Sequence, residues 1–259
     1  MPFIDLFSKR SDLYASARPT YPEALFDFVA LSVPAAGRVW DCATGSGQAA
    51  VGLARRFREV QATDASAAQI ANATPHASVH YSVQPAERTN FAPASFDAVC
   101  VAQALHWFDF ARFFPEVSRV LKVGGIFVAW GYDWFTLDPA FDKEFQRSVL
   151  DLFESHWAPQ NALLWNGYRD VPLPFEPVSA PDVPMRVDWT FLQLLAYVHT
   201  WSATRQVLKE SGREFFDQAE ARLRPLWGDP ASVRTLSFRL HVIAGRRTGD
   251  RMAAHASRD

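Results

Sequence analysis

Cysteine is scarce in this 259-residue chain: there are two, Cys42 and Cys100, each inside an apolar run. Two isolated thiols cannot build a metal cage. A chain of this length can also bury a full core without disulfides, so both read as reduced core residues. No charge of one sign dominates. The 26 Lys and Arg stand against 28 Asp and Glu, a formal net charge of -2, and nothing electrostatic points to nucleic acid. The arginines near the C-terminus (Arg246, Arg247, Arg251, Arg258) are diluted by Asp250 and Asp259 and carry no apolar period, which reads as a frayed tail. There is no run of about 20 apolar residues to span a membrane, and no apolar stretch behind a basic one to act as a secretory leader. Repeats and low-complexity tracts are absent too. The expectation is a cytoplasmic protein without metal, membrane or nucleic-acid partners, monomeric or homodimeric.

What is present is an ordinary globular balance, 49% apolar and 21% charged. From Arg38 the chain alternates short buried strands with helical segments. Strands are expected at 39–42, 60–63, 79–83, 96–102 and 126–130, and helices at 48–57, 66–73 and 109–121. Gly124-Gly125 is expected to end the last of these helices as a left-handed cap. Strands separated by helices imply parallel pairing with right-handed crossovers. After Gly131 the composition turns aromatic and Pro-rich, with Trp134, Phe135, Phe141, Phe145, Phe153, Trp157, Trp165 and Phe175, and reads as a cap over the active edge of the sheet. A further strand is expected at 185–189, helices at 192–208 and 215–226, and an antiparallel edge strand at 236–243, where Leu236, Phe238, Leu240 and Val242 alternate.

The fold class is therefore α/β: a doubly wound, mostly parallel seven-stranded sheet of Rossmann-like type, with an antiparallel last strand and an inserted aromatic-rich helical cap. Five segments follow from this: 1–36 covering the ligand site, 37–131 the α/β core, 132–182 the cap, 183–245 completing the core, and 246–259 the tail.

The strongest chemical signal is Val39-Trp40-Asp41-Cys42-Ala43-Thr44-Gly45-Ser46-Gly47, placed between a strand and a helix. Glycines there let the backbone turn sharply and approach a ligand. The helix start offers free amides. About 20 residues on, at the end of the second strand, stands Asp64, where an acid can accept both ribose hydroxyls of an adenosine. Nicotinamide and flavin sites share this layout, and the Gly-x-Gly-x-x-Ala spacing does not exclude them. Asp41 argues against them, because an acid before the loop repels a pyrophosphate but suits a ligand with a positive amino group.

These residues resemble motif I of the class I S-adenosylmethionine-dependent methyltransferases, with Ala43 in place of the first family glycine. Alanine fits there if its φ is negative. Phe96-Asp97-Ala98-Val99, followed by Gln103-Ala104-Leu105-His106-Trp107-Phe108, resembles the family's fourth-strand motif. Arg119-Val120-Leu121-Lys122-Val123-Gly124-Gly125 resembles its turn before the fifth strand. Tyr14, Arg18-Pro19-Thr20-Tyr21-Pro22 and Thr200-Trp201-Ser202 are similar to the type 11 branch that includes trans-aconitate methyltransferases.

The resemblance implies S-adenosylmethionine as cofactor and S-adenosylhomocysteine as product. It further implies that Gly45 and Gly47 flank the methionine part, that Asp41 helps organise the loop near the amino group, that Asp64 holds the ribose, and that Ala43, Thr44, Gln48 and Ala65 belong to the cofactor site. Ala86 and Glu87 then border the adenine, Gln103 and Ala104 line the cofactor, and Tyr14 and Arg18 close over it. His106, at the carboxyl end of a central strand, is a candidate general base; its plainer reading is a helix-start residue that positions the loop. Trp107 and Trp134 are candidates for the substrate wall. The expected activity is methyl transfer to O, N or C of a small molecule, a carboxylic acid or planar metabolite among the candidates. A cofactor-binding regulatory protein without turnover and a nicotinamide-dependent reductase are the alternatives.

Overall fold

The computed structural model describes residues 18–201 and 203–249. They form two compact units. The α/β unit comprises Tyr21–Asp133, Ala162–Pro184 and residues 240–249. The aromatic unit comprises residues 18–20, Trp134–Asn161 and Met185–Arg239. The stretch 132–182 is thus divided near Asn161, and 185–239 groups with its first part rather than with the α/β core. The strands in chain order are β1 (Arg38–Cys42), β2 (Glu59–Asp64), β3 (Val79–Val83), β4 (Phe96–Ala102), β5 (Leu121–Thr136), β6 (Glu176–Pro177), β7 (Met185–Trp189) and β8 (Arg234–Arg246).

In the α/β unit the strand order is β3-β2-β1-β4-β5-β8-β6. β3, β2, β1, β4 and β5 are parallel, and β6 pairs antiparallel with β8. Helices α1 (Glu23–Leu31), α2 (Gln48–Ala54), α3 (Ala67–Ala71) and α4 (Phe110–Val120) accompany the parallel strands. β1 and β4 are buried almost throughout, as strands covered on both faces must be. Trp40, Phe96, Phe113, Phe127 and Val99 are fully buried in one cluster, and the Trp40 indole donates to Thr63 Oγ1 at 2.8 Å. α4 turns Phe113, Phe114, Val117 and Val120 inward. Asp109 caps it by accepting from the Ala111 amide at 3.0 Å.

Several expectations need correction here. The Gly124-Gly125 pair does not cap α4. The helix ends at Val120 with Leu121 already extended, and β5 starts at Leu121. Gly124 does adopt a left-handed φ of +82°, but inside the strand, where the register with β4 shifts between Phe96 and Ala98. The seventh strand of the path is the short β6, inside the stretch read as cap. The strand expected at 185–189 is β7, which lies off the path and pairs antiparallel with the first half of β8. β8 extends to Arg246, and Arg247 exchanges backbone bonds with Gly124 and Gly125, so the strand reaches into the stretch read as tail.

The aromatic unit is held by ring contacts. Trp134, Trp157 and Trp201 stand 5.3–5.6 Å apart, centroid to centroid, with Phe145 and Phe153 edge-on to Trp201. Such pairs contribute about 0.5–1.5 kcal/mol each beyond their buried area. The single helix expected at 192–208 is two, Phe191–His199 and Thr204–Ser211. The break comes where the Thr200 and Thr204 hydroxyls take the carbonyls of Tyr197 and Val198.

α1 and α2 approach closely because Gly52 has no side chain: a Cβ there would lie 2.2 Å from the Phe26 ring. Gly52→Ala is expected to destabilise the protein by about 1–3 kcal/mol through overpacking, against a smaller gain in helix propensity. Urea denaturation would measure it, and an unchanged midpoint would show that the Phe26 ring yields freely.

Candidate functional site

Parallel pairing sets Cys42 opposite Thr63 and Val101, and Asp64 opposite Val83. The loops after β1, β2, β3 and β4 therefore leave the sheet at one edge, where open α/β sheets bind ligands. In the loop after β1, Gly45 and Gly47 take φ +57° and +86°. Gly47 has to be glycine, since a Cβ would lie 2.2 Å from the Tyr81 hydroxyl, whereas space around Gly45 is open. The Gly45 amide donates to Asp64 Oδ2 at 2.9 Å, and the Ser66 amide donates to Asp64 Oδ1 at 2.8 Å. Ala43 sits at φ +56°, not at the negative value expected of an alanine. Its Cβ meets the backbone there at a cost of about 1–2 kcal/mol.

Asp41 is fully buried in β1. Its Oδ2 accepts from Thr44 Oγ1 at 2.5 Å, and its Oδ1 makes no hydrogen bond. Burial pushes its carboxyl up to about 7, only partly offset by the Thr44 hydroxyl and the nearby Ala50 amide. Tyr81, on β3, is likewise pushed up to about 12, first by burial and then by Asp41. Its hydroxyl donates to Thr74 O at 2.7 Å. Gln48 opens α2, Ala65 is exposed beyond β2, and after β3 Ala86 is buried with Glu87 half-buried.

At the end of β4, Gln103 takes φ +56° and is clamped to β5. Its amide donates to Trp130 O at 2.8 Å, and its side chain accepts from Tyr132 N at 3.0 Å and donates to Tyr132 O at 3.2 Å. Ala104 is buried beside it. His106 follows in a short 3₁₀ turn, Leu105–Trp107. Burial lowers its imidazole to about 4, so the ring is neutral at neutral pH. Trp107 is half-exposed, its ring 5.0 Å from that of His106. Arg18 and Trp134 belong to the aromatic unit. There Arg18 donates to Thr200 O at 3.3 Å, and Trp134 packs on Trp157 and Trp201. Tyr14 and Ser202 lie outside the described residues.

Two tyrosines escaped the sequence reading. Tyr81 falls on an alternating strand that nothing marks as special. Tyr168 lies in the Pro-rich stretch far from any motif, yet its hydroxyl comes within 3.4 Å of His106 Nδ1. Among the described residues no cluster of three or more His, Cys, Asp or Glu is placed to hold a metal ion, and no helix is long and apolar enough to cross a membrane.

A parallel sheet with an acid-led glycine loop after its first strand and a loop-binding acid after its second is Rossmann-like. Comparison with known proteins narrows the class. The family model described as a methyltransferase domain matches residues 40–129. A solved structure from Anaeromyxobacter dehalogenans, assigned as a type II methyltransferase, is 37% identical, with a TM-score of 0.84 over 90% of this chain and 99% of that one. A protein of Dictyostelium discoideum assigned as a methyltransferase is 26% identical over 95% of this chain and 96% of its own length. An uncharacterized methyltransferase of Mycobacterium tuberculosis is 37% identical over 51% of this chain and 53% of its own length. With this site on this sheet, the chain belongs to the class I S-adenosylmethionine-dependent methyltransferases.

The Asp41 carboxyl carries a pH signature. The fold keeps its proton up to about pH 7, whereas an unfolded aspartate loses it near 4. The native state thus binds the extra proton, and stability falls as pH rises through that window. Asp41→Asn stays neutral throughout. It is expected to exceed the parent protein in stability by roughly 2–4 kcal/mol at pH 8, with the gap closing near pH 4. Thermal unfolding at both pH values checks this, and a gap independent of pH would contradict it.

Proposed function

We propose that this protein transfers a methyl group from S-adenosylmethionine to a small-molecule acceptor, chiefly by holding the reactants in line and excluding water. The observation that carries the reading is the unmatched oxygen of buried Asp41 behind an open glycine loop. A buried carboxyl with a free oxygen is costly alone, and a ligand ammonium group would give it a partner. The same acid disfavours a pyrophosphate, which counts against a nicotinamide cofactor.

In this reading Asp41, Ala43, Thr44, Gly45, Gly47 and Gln48 hold the methionine part. Asp64 uses one lone pair of each oxygen on the loop amides and keeps the others for ribose hydroxyls, beside Ala65. Ala86 and Glu87 border the adenine, while Gln103 and Ala104 form the floor next to the methyl group. His106 and Trp107 face the acceptor, a carboxylic acid or planar metabolite. The cofactor, when bound, supplies an electrophilic methyl on a sulfonium. The protein needs no strong acid or base to activate it, which agrees with an imidazole held neutral by burial.

Calorimetric titration with S-adenosylhomocysteine tests the assignment. Wild-type protein is expected to bind, and Asp64→Ala to bind at least about tenfold more weakly, a loss of about 1.4 kcal/mol. A folded wild type that ignores S-adenosylhomocysteine but takes up NADH would overturn the proposal. Binding with no transfer of a labelled methyl group to any small molecule would instead leave a regulatory protein.

A further inference from the structure

Tyr168 has no part in the mechanism above, yet the fold goes to some length to hold it. It ends the turn Asn166-Gly167-Tyr168 after the Asn161–Trp165 helix, with its side chain essentially fully buried. Its φ is +60°, a left-handed conformation that a non-glycine residue keeps only where packing enforces it. Gly131 of β5 makes room for it. A Cβ there would lie 2.9 Å from the Tyr168 hydroxyl and 2.5 Å from Gln103 Oε1.

The hydroxyl that this packing delivers stands 3.4 Å from His106 Nδ1, with the rings 22° from parallel. Among the described residues, Nδ1 is its only hydrogen-bond partner, and Nε2 of His106 has none. A phenol is a good donor and a poor acceptor, because its oxygen lone pair is shared with the ring. The bare nitrogen of a neutral imidazole is a good acceptor. A phenol O–H that donates to Nδ1 would leave the single proton of the neutral ring on Nε2.

We infer that Tyr168 is a positioning residue that fixes His106 as the Nε2–H tautomer, so that His106 donates a hydrogen bond to an oxygen of the methyl acceptor and does not act as a base. This rests on the methyl-transfer reading for the acceptor, and on the geometry of the α/β unit alone for the tautomer. His106 is 5% exposed, and a ligand oxygen at Nε2 would give that N–H the acceptor that no described residue supplies. The acceptor class follows. It is a small molecule with a carboxylate or carbonyl oxygen beside the methylated atom, and its nucleophile is reactive without losing a proton to His106. A substrate hydroxyl or ammonium that must be deprotonated at this position does not fit.

The test needs no knowledge of the acceptor. Nitrogen-15 NMR of the imidazoles, with the His106 signals identified by their loss in His106→Gln, reads the tautomer directly. In wild type Nε2 is expected to carry the proton and Nδ1 to be bare. In Tyr168→Phe, which keeps the ring and loses the donor, the tautomer ratio is expected to shift on the order of tenfold, the worth of one neutral hydrogen bond. A proton on Nδ1 in wild type overturns the inference whether or not the variant folds. An unchanged ratio in a folded variant overturns it as well. S-adenosylhomocysteine calorimetry on the same samples reports separately on the cofactor: its failure would remove methyl transfer and leave the tautomer result standing.

Discussion

Two backbone amides, those of Gly45 and Ser66, donate to the one carboxylate of Asp64. That group joins the loop after β1 to the turn after β2. It can do so because parallel pairing brings both strands out at the same edge, with Cys42 opposite Thr63. Much of the site is built on this junction. The left-handed Gly45 has its amide satisfied. The Thr44 amide is fastened to Thr63 O at 2.9 Å, and the Thr44 hydroxyl can then turn back onto Asp41. The loop stays open around Gly45 while its polar groups are matched, which suits a backbone meant to receive a ligand.

Burial sets the electrostatics. It moves Asp41 up and His106 down, so an acid and a base at the same sheet edge both tend toward their uncharged forms. Burial of this kind strengthens whatever interactions a charged ligand makes there. The tyrosines follow the same logic. Tyr81 packs over Gly47 and Tyr168 abuts His106, and both present a neutral hydroxyl.

How far the chain could be read beforehand varied from element to element. β3, β4 and β7 fall where alternation and apolar runs place them, at 79–83, 96–102 and 185–189, because a strand's period of two is local information. β5 was read too short. Its Tyr132–Thr136 end is aromatic and polar, which looks the same whether it extends a strand or begins a cap. The break after His199 was hidden because apolar spacing runs on through Trp201 and Ala203, and only hydroxyl bonds to carbonyls interrupt the helix. The left-handed conformations of Ala43 and Gln103 left no trace in residue type, since neither is a residue that prefers that region.

By itself, then, the sequence determined the alternating α/β layout, the acid-led glycine loop and the acid after the second strand. Each of these is a short-range pattern whose meaning does not depend on what packs against it. The tertiary structure alone decided that Asp41 keeps an oxygen without a partner, that Asp64 spends its carboxylate on two amides, and that Tyr168 reaches His106 across 62 residues of chain. Burial, tautomer and hydrogen-bond partner are properties of a side chain's surroundings, and those surroundings exist only once distant segments have folded together.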